Sequence, residues 1–169
     1  TVVTSSNFTV DSSGTGISNT GNLTVTGSIF NGSGTSTGIS VGTGAASSTN
    51  NTVISTSTFT SLRQALVAGN EEVSLRDSTV TGGGESTASD TRGVITHSAG
   101  TLLLLNNTIS NSNAAYYALH VSSGNLTARF NNITGNTLNA RQTSGTANAT
   151  HNWWGAATGP ATTSLNGTV

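Results

Sequence analysis

Large apolar residues are sparse in this chain, but they recur in a fixed frame. The segments "GTLLLLNNTISN" (100–111) and "GNLTARFNNITG" (124–135) share Gly, then an apolar residue two places on, a small or apolar residue two further, Asn three after that, and Ile after two more. With the first apolar position taken as p, the template repeats with p at Thr1, Leu23, Thr52, Val73, Leu102, Leu126 and Ala147. Position p+2 is then Val3, Val25, Ile54, Leu75, Leu104, Ala128 and Ala149, and p+7 is Phe8, Phe30, Phe59, Val80, Ile109, Ile133 and Trp154. Alternation at p and p+2 marks a strand with one buried face, and the change of parity by p+7 requires a corner between them. Gly21, Gly100, Gly124 and Gly145 at p−2 mark a preceding turn.

One such repeat cannot bury its own apolar face, whereas stacked repeats share a core and pair their strands in parallel. The pattern therefore predicts an all-β parallel solenoid, a single domain over 1–169 of about seven coils beginning near residues 1, 23, 52, 73, 102, 126 and 147. At p+5 stand Ser6, Ser28, Ser57, Ser78, Asn107, Asn131 and Asn152, a column of small polar side chains that would hydrogen-bond along the stack as an asparagine/serine ladder. One stretch breaks the strand pattern. In "TSLRQALVAGN" Ser61 and Gln64 have capping-box spacing, Leu62 and Leu66 share a helical face and Gly69 can end the turn, which predicts a short helical excursion on the outside of the rod.

Composition supports strands over helix. Thr, Ser, Gly and Asn supply 97 of the 169 residues; these side chains compete with helical hydrogen bonds, and β-branched Thr favours strands. Only 7% of the residues are charged, unlike the high charge typical of disordered chains. With net charge −1 and no lysine there is no basic surface for nucleic acid, and no apolar run approaches the length of a membrane span. Cysteine is absent, so neither disulfides nor thiolate metal sites arise.

The ladder residues Asn107, Asn131 and Asn152, the coils "NNTISN" and "NNITGN" and the ending "NWWGAATGP" resemble right-handed parallel β-helix proteins of the pectate-lyase-like class, which are secreted and cell-surface proteins of bacteria and archaea. The resemblance implies a right-handed coil and an extracellular setting. Because that class contains enzymes, adhesins and structural proteins, it does not fix the function.

Candidate chemistry is thin. Arg76, Asp77, Glu85, Asp90 and Arg92 gather around "TGGGESTASDT", but within one insertion, which suits solvated surface ion pairs better than a carboxylate pair for glycoside cleavage. His97, His120 and His151 occupy unrelated template positions with no metal-ligand spacing. Tyr116 and Tyr117 would cover the rod's flank or stack on sugar rings, as would Trp153 if it faces outward. The outward p+1 and p+3 row is too irregular for an ice-binding face. Leu103 and Leu105 point outward by alternation, so either Leu62 and Leu66 cover them or they contact another chain. No catalytic residue, cofactor or metal is expected.

The chain starts in the template at "TVVTSSNFTV" and closes on strand-like "TTSLNGTV", with no segment that reads as a cap. Matching open ends make head-to-tail contacts that propagate as filaments. The expectation is a structural, self-assembling subunit of an extracellular filament or surface coat. Contacts would fall at Val2, Val3, Phe8, Trp153 and Trp154, with Leu103 and Leu105 lateral. The alternative is a β-helix piece of a larger adhesin or carbohydrate-binding or carbohydrate-cleaving protein. Among the sequons, Asn22, Asn125, Asn132, Asn106 and Asn31 are candidate N-glycosylation sites near turns.

Overall fold

Alternating small hydrophobic and Thr/Ser residues, with one apolar face per strand, build three stacked faces. The computed structural model describes residues 1–42, 49–83, 93–112, 116–160 and 163–169. The first face carries strands Val2–Thr4, Leu23–Thr26, Asn51–Ser55, Asn125–Arg129, Thr146–Asn148 and Gly167–Thr168. The second carries Asn7–Val10, Ile29–Gly32, Thr58–Leu62, Thr79–Gly83, Thr108–Ser112 and Asn132–Thr134. The third carries Thr15–Asn19, Thr37–Val41, Tyr117–Val121, Leu138–Gln142 and Thr163–Ser164. Two 13-residue strands, Gln64–Arg76 and Gly93–Leu105, run through both the third and first faces and merge them into one 13-stranded sheet beside the 6-stranded second face. Every pairing among the described strands is parallel, an architecture compatible with a β-helix or solenoid-like fold.

The register follows the sequence columns. Val3 pairs with Val25, Val25 with Ile54, Ile54 with Leu75, Leu75 with Leu104, and Leu104 with Ala128. On the second face Phe8, Phe30, Phe59, Val80, Ile109 and Ile133 are successive partners. Both columns enter the core, with Val25, Ile54, Leu104 and Phe30 fully buried.

Between these faces the chain bends at p+4, where the backbone is left-handed in every pass: Ser5, Gly27, Thr56, Asp77, Asn106, Phe130 and His151 have φ between 48° and 62°. A non-glycine residue in this region costs about 1–2 kcal/mol, so something must hold the bend. Part of the answer is backbone: the p+4 N–H of Ser5, Gly27, Thr56, Asp77 and Asn106 each donates to the p+3 carbonyl of the following pass at 2.9–3.2 Å. The rest is the p+5 side chain, described below.

Among the described residues there is no helix, and "TSLRQALVAGN" is strand throughout except at Arg63. Leu62 closes the second face and Leu66 sits in the third, so their four-residue spacing spans a corner and both are buried in the core. Gln64 does not cap Ser61; its Nε2 donates to Gly93 O and Thr96 Oγ1 in the next pass. The capping-box spacing was satisfied by a corner instead.

The third face supplies small residues opposite the phenylalanines. A Cβ on Gly16 would lie 3.1 Å from Phe30 Cδ1, and one on Gly38 3.1 Å from Phe59 Cδ1. At the predicted turn glycines the outcome divides. Gly100, Gly124 and Gly145 have φ of 88–93° and stack so closely that a Cβ on Gly124 would meet Gly100 O at 2.4 Å. Gly21 lies in open space and makes no such demand.

Candidate functional site

The p+5 column is one directional hydrogen-bonded chain. The backbone N–H of Ser6 donates to Ser28 Oγ, Ser28 to Ser57 Oγ, Ser57 to Ser78 Oγ, Ser78 to Asn107 Oδ1, Asn107 to Asn131 Oδ1 and Asn131 to Asn152 Oδ1, at 2.9–3.2 Å. Ser and Asn differ in where they return their own proton. Ser28, Ser57 and Ser78 donate to a carbonyl of their own pass, at Thr26, Ser55 and Arg76. The amides of Asn107, Asn131 and Asn152 reach back to the preceding pass, to Leu75 O, Leu104 O and Ala128 O. Serine therefore ties adjacent passes once, and asparagine two or three times, since the amides of Asn107 and Asn131 also donate to Asn131 Oδ1 and Asn152 Oδ1. Within the described residues this chain of bonds runs from Ser6 to Asn152.

The end residues are placed unequally. Val2 is 72% exposed, and Val3, Phe8 and Ile17 are half-buried against the core. Phe8 stacks on Phe30 on one side, with ring centroids 4.6 Å apart. At the opposite end Trp153 is 53% exposed, whereas Trp154 belongs to the buried core beside Ala147 and Ala149 and offers no open contact surface. Tyr116 is likewise fully buried rather than covering a flank; Tyr117 is half-buried, its ring 6.0 Å from the Arg141 guanidinium.

Leu103 and Leu105 are half-buried on the outer surface of the first face. Leu62 and Leu66 do not cover them, because both lie in the core. Leu103 instead lines a half-open groove of about 190 Å³ with Asn51, Val53, Glu72, Ser74, Arg76 and Thr101. Arg76 Nε donates to Ser74 Oγ at 2.6 Å, and both residues line the groove. The groove is lined by the Glu72 carboxylate, the Arg76 guanidinium and the apolar side chains of Val53 and Leu103.

Alternation had a consequence that charge counting missed. Glu71 shares parity with Val73 and Leu75 and so faces inward, fully buried. Thr52, an inward residue of the preceding pass, donates to Glu71 Oε1 at 2.8 Å; Oε2 has no partner among the described residues. Burial raises the Glu71 pKa above the ordinary carboxylate value, opposed by the Thr52 bond. His97, also fully buried, donates from Nε2 to Glu71 O at 3.2 Å, and burial lowers its pKa against the effect of that bond. His120 is lowered by burial and by the Arg141 charge.

The two shifts act in opposite directions. A raised carboxylate binds more protons folded than unfolded, so Glu71 stabilises the fold below its ordinary pKa and this stability is lost as pH rises through the folded pKa. The lowered histidines contribute stability above their ordinary pKa that is lost as pH falls through it. Glu71→Gln keeps the acceptor for Thr52 and removes the buried charge. It is expected to raise Tm at pH 7 relative to the parent, the gain shrinking toward zero below about pH 4, where the parent carboxyl is protonated in both states. Thermal melts of both proteins from pH 3 to 8 read the difference.

Of the charged cluster, Glu85, Asp90 and Arg92 lie outside the described residues. Asp77 sits at the p+4 bend and accepts from Asn106 Nδ2 at 2.7 Å. His151 is exposed, with its ring 5.7 Å from that of Phe130. Among the described residues no three His, Asp or Glu side chains converge, and no helix is long and apolar enough to cross a membrane. Of the sequons, Asn22 Oδ1 accepts from Asn51 N, Asn125 Oδ1 accepts from Thr146 Oγ1, and Asn31 and Asn132 are exposed.

Comparison with protein families, curated proteins and solved structures finds no match.

Proposed function

We propose that the chain is a structural module built as a right-handed parallel β-helix of seven coils, and that it joins further coils at its ends to form an extracellular filament or coat. The observation that carries this reading is the open Phe8 face. Val3, Phe8 and Ile17 are partly buried apolar residues packed against the core, and Ser6 is the first described residue of the ladder. An apolar face of this kind is completed by another coil, which would pair with the strand edge and continue the ladder. At the other end Gly167–Thr168 already pairs with Ala147–Asn148 on the first face, so a further coil, from a second copy or from the same polypeptide, would stack on that strand. Right-handedness follows from the strong preference of parallel crossovers for that hand.

A second reading places the chain inside a larger adhesin or carbohydrate-binding protein, with neighbouring coils of the same polypeptide covering both ends. The groove of Asn51, Val53, Glu72, Ser74, Arg76 and Leu103 favours it, since it offers hydrogen-bonding groups around an apolar wall. Negative-stain electron microscopy and size-exclusion chromatography of the purified chain separate the two. Rods lengthening with concentration are expected from the first reading; a monodisperse monomer at high concentration and physiological salt would sink it.

A further inference from the structure

Phe130 combines two unfavourable features. It is 63% exposed, and it holds a left-handed backbone at φ 57°, which a bulky side chain adopts rarely. Nothing in the packing of the core accounts for an aromatic ring here, since the same bend is made by Ser5, Gly27, Thr56, Asp77 and Asn106. What distinguishes this bend is its surroundings. Phe130 N–H donates to His151 O at 2.9 Å, and two residues further along the same two passes Asn132 is bridged in parallel to Trp153. Phe130 and His151 therefore lie side by side on adjacent passes, as do Asn132 and the half-exposed Trp153 two residues further along.

Asn132 opens the sequon Asn132-Ile133-Thr134. Its neighbours Asn131 and Ile133 are buried, so the strand turns the Asn132 side chain out to solvent, and it makes no hydrogen bond among the described residues. The flat apolar faces of Phe130 and Trp153 suit the C–H face of a pyranose ring, and adjacent passes are about 4.8 Å apart, within one sugar's reach.

We propose that Asn132 is a modification site carrying an N-linked saccharide whose first residue lies across Trp153 and Phe130. The donor class is an oligosaccharide linked to a lipid pyrophosphate. Asn132 Nδ2 forms a C–N bond to the anomeric carbon, the C–O bond to the pyrophosphate breaks, the lipid pyrophosphate leaves with that electron pair, and one amide proton is released. The Nδ2 that loses this proton serves no contact of the fold. The proposal does not depend on end-to-end assembly.

Trypsin isolates the site, because Arg129 and Arg141 bound the peptide "FNNITGNTLNAR", in which Asn132 is the sole sequon asparagine. Fragmentation of this peptide from the native-source protein is expected to place a glycan mass on Asn132; recovery of the peptide wholly unmodified overturns the proposal. The stacking has its own readout. The modified parent is expected to melt several degrees above Asn132→Gln, and in a Trp153→Ala background that difference is expected to fall by at least half. An undiminished difference would overturn the aromatic platform, whatever the peptide shows.

Discussion

Asn131→Ala is expected to lower the unfolding free energy by about 2–4 kcal/mol, from one stranded buried N–H at roughly 1–3 kcal/mol and several lost hydrogen bonds at about 0.5–1.5 kcal/mol each. Asn131 is 2% exposed and joins three passes at once. Its Oδ1 accepts from the backbone and side-chain amides of Asn107, both at 2.9 Å, while its Nδ2 donates to Leu104 O and Arg129 O at 3.0 Å and to Asn152 Oδ1 at 2.9 Å. Alanine strands the buried Asn107 N–H and removes the side-chain ties to both neighbouring passes, while Arg129 O keeps Asn106 N–H, Asn152 Oδ1 keeps the backbone N–H of residue 131 and Asn107 Nδ2 keeps Leu75 O. It also removes the bond from Asn131 Nδ2 to Arg129 O that spans the left-handed bend at Phe130. Asn131→Ser separates these effects. A serine hydroxyl can accept from Asn107 N, as Ser57 Oγ does from Ser28 N, but cannot reach Leu104 O in the preceding pass. About half the loss is therefore expected with serine, read as chemical-denaturation midpoints at an unchanged m-value. Equal losses for the two variants would mean that the tie to the preceding pass contributes nothing.

The ladder was legible because p to p+7 has a fixed length. Strand, left-handed bend and second strand occupy the same eight positions in each pass, so the p+5 polar column and the p+7 apolar column align without gaps. The third face was not legible. Ile39 follows Leu23 by 16 residues, Leu66 follows Thr52 by 14 and Ile95 follows Val73 by 22, although Ile39, Leu66 and Ile95 are register partners. A template of constant spacing cannot align a strand reached through connections of different length. The same corner produced the helical expectation at Leu62 and Leu66, since residues four apart share a core across a bend as well as along a helix. Glu71 was readable but unread: its parity with Val73 and Leu75 put it inside, while its charge suggested a surface. The groove at Leu103 depends on Val53 and Arg76 from two other passes, and only the register brings them together.

Phe30→Ala is expected to destabilise by about 4–5 kcal/mol, and to do so unevenly along the chain. Phe30 is fully buried and stacked on both faces, with ring centroids 4.6 Å from Phe8 and 4.9 Å from Phe59 and planes within 6°. Removing it opens a ring-sized cavity, and the two lost aromatic contacts add to the lost burial. Collapse around the cavity is blocked, because Gly16 lies opposite with no side chain to move in and the strands above and below are pinned by parallel pairing. Phe30→Leu restores most of the volume without the stacking and is expected to cost about 1–2 kcal/mol. In a stack where each pass contacts its neighbours, stability is close to a sum of local and interfacial contributions. Phe30 belongs to the second pass, so the alanine variant is expected to detach residues 1–32 first. Hydrogen exchange would then show lost protection there while 93–112 and 116–149 keep theirs, and thermal melts would become biphasic. A single cooperative transition with uniform loss of protection would instead show that the two long strands, Gln64–Arg76 and Gly93–Leu105, couple every pass into one unit.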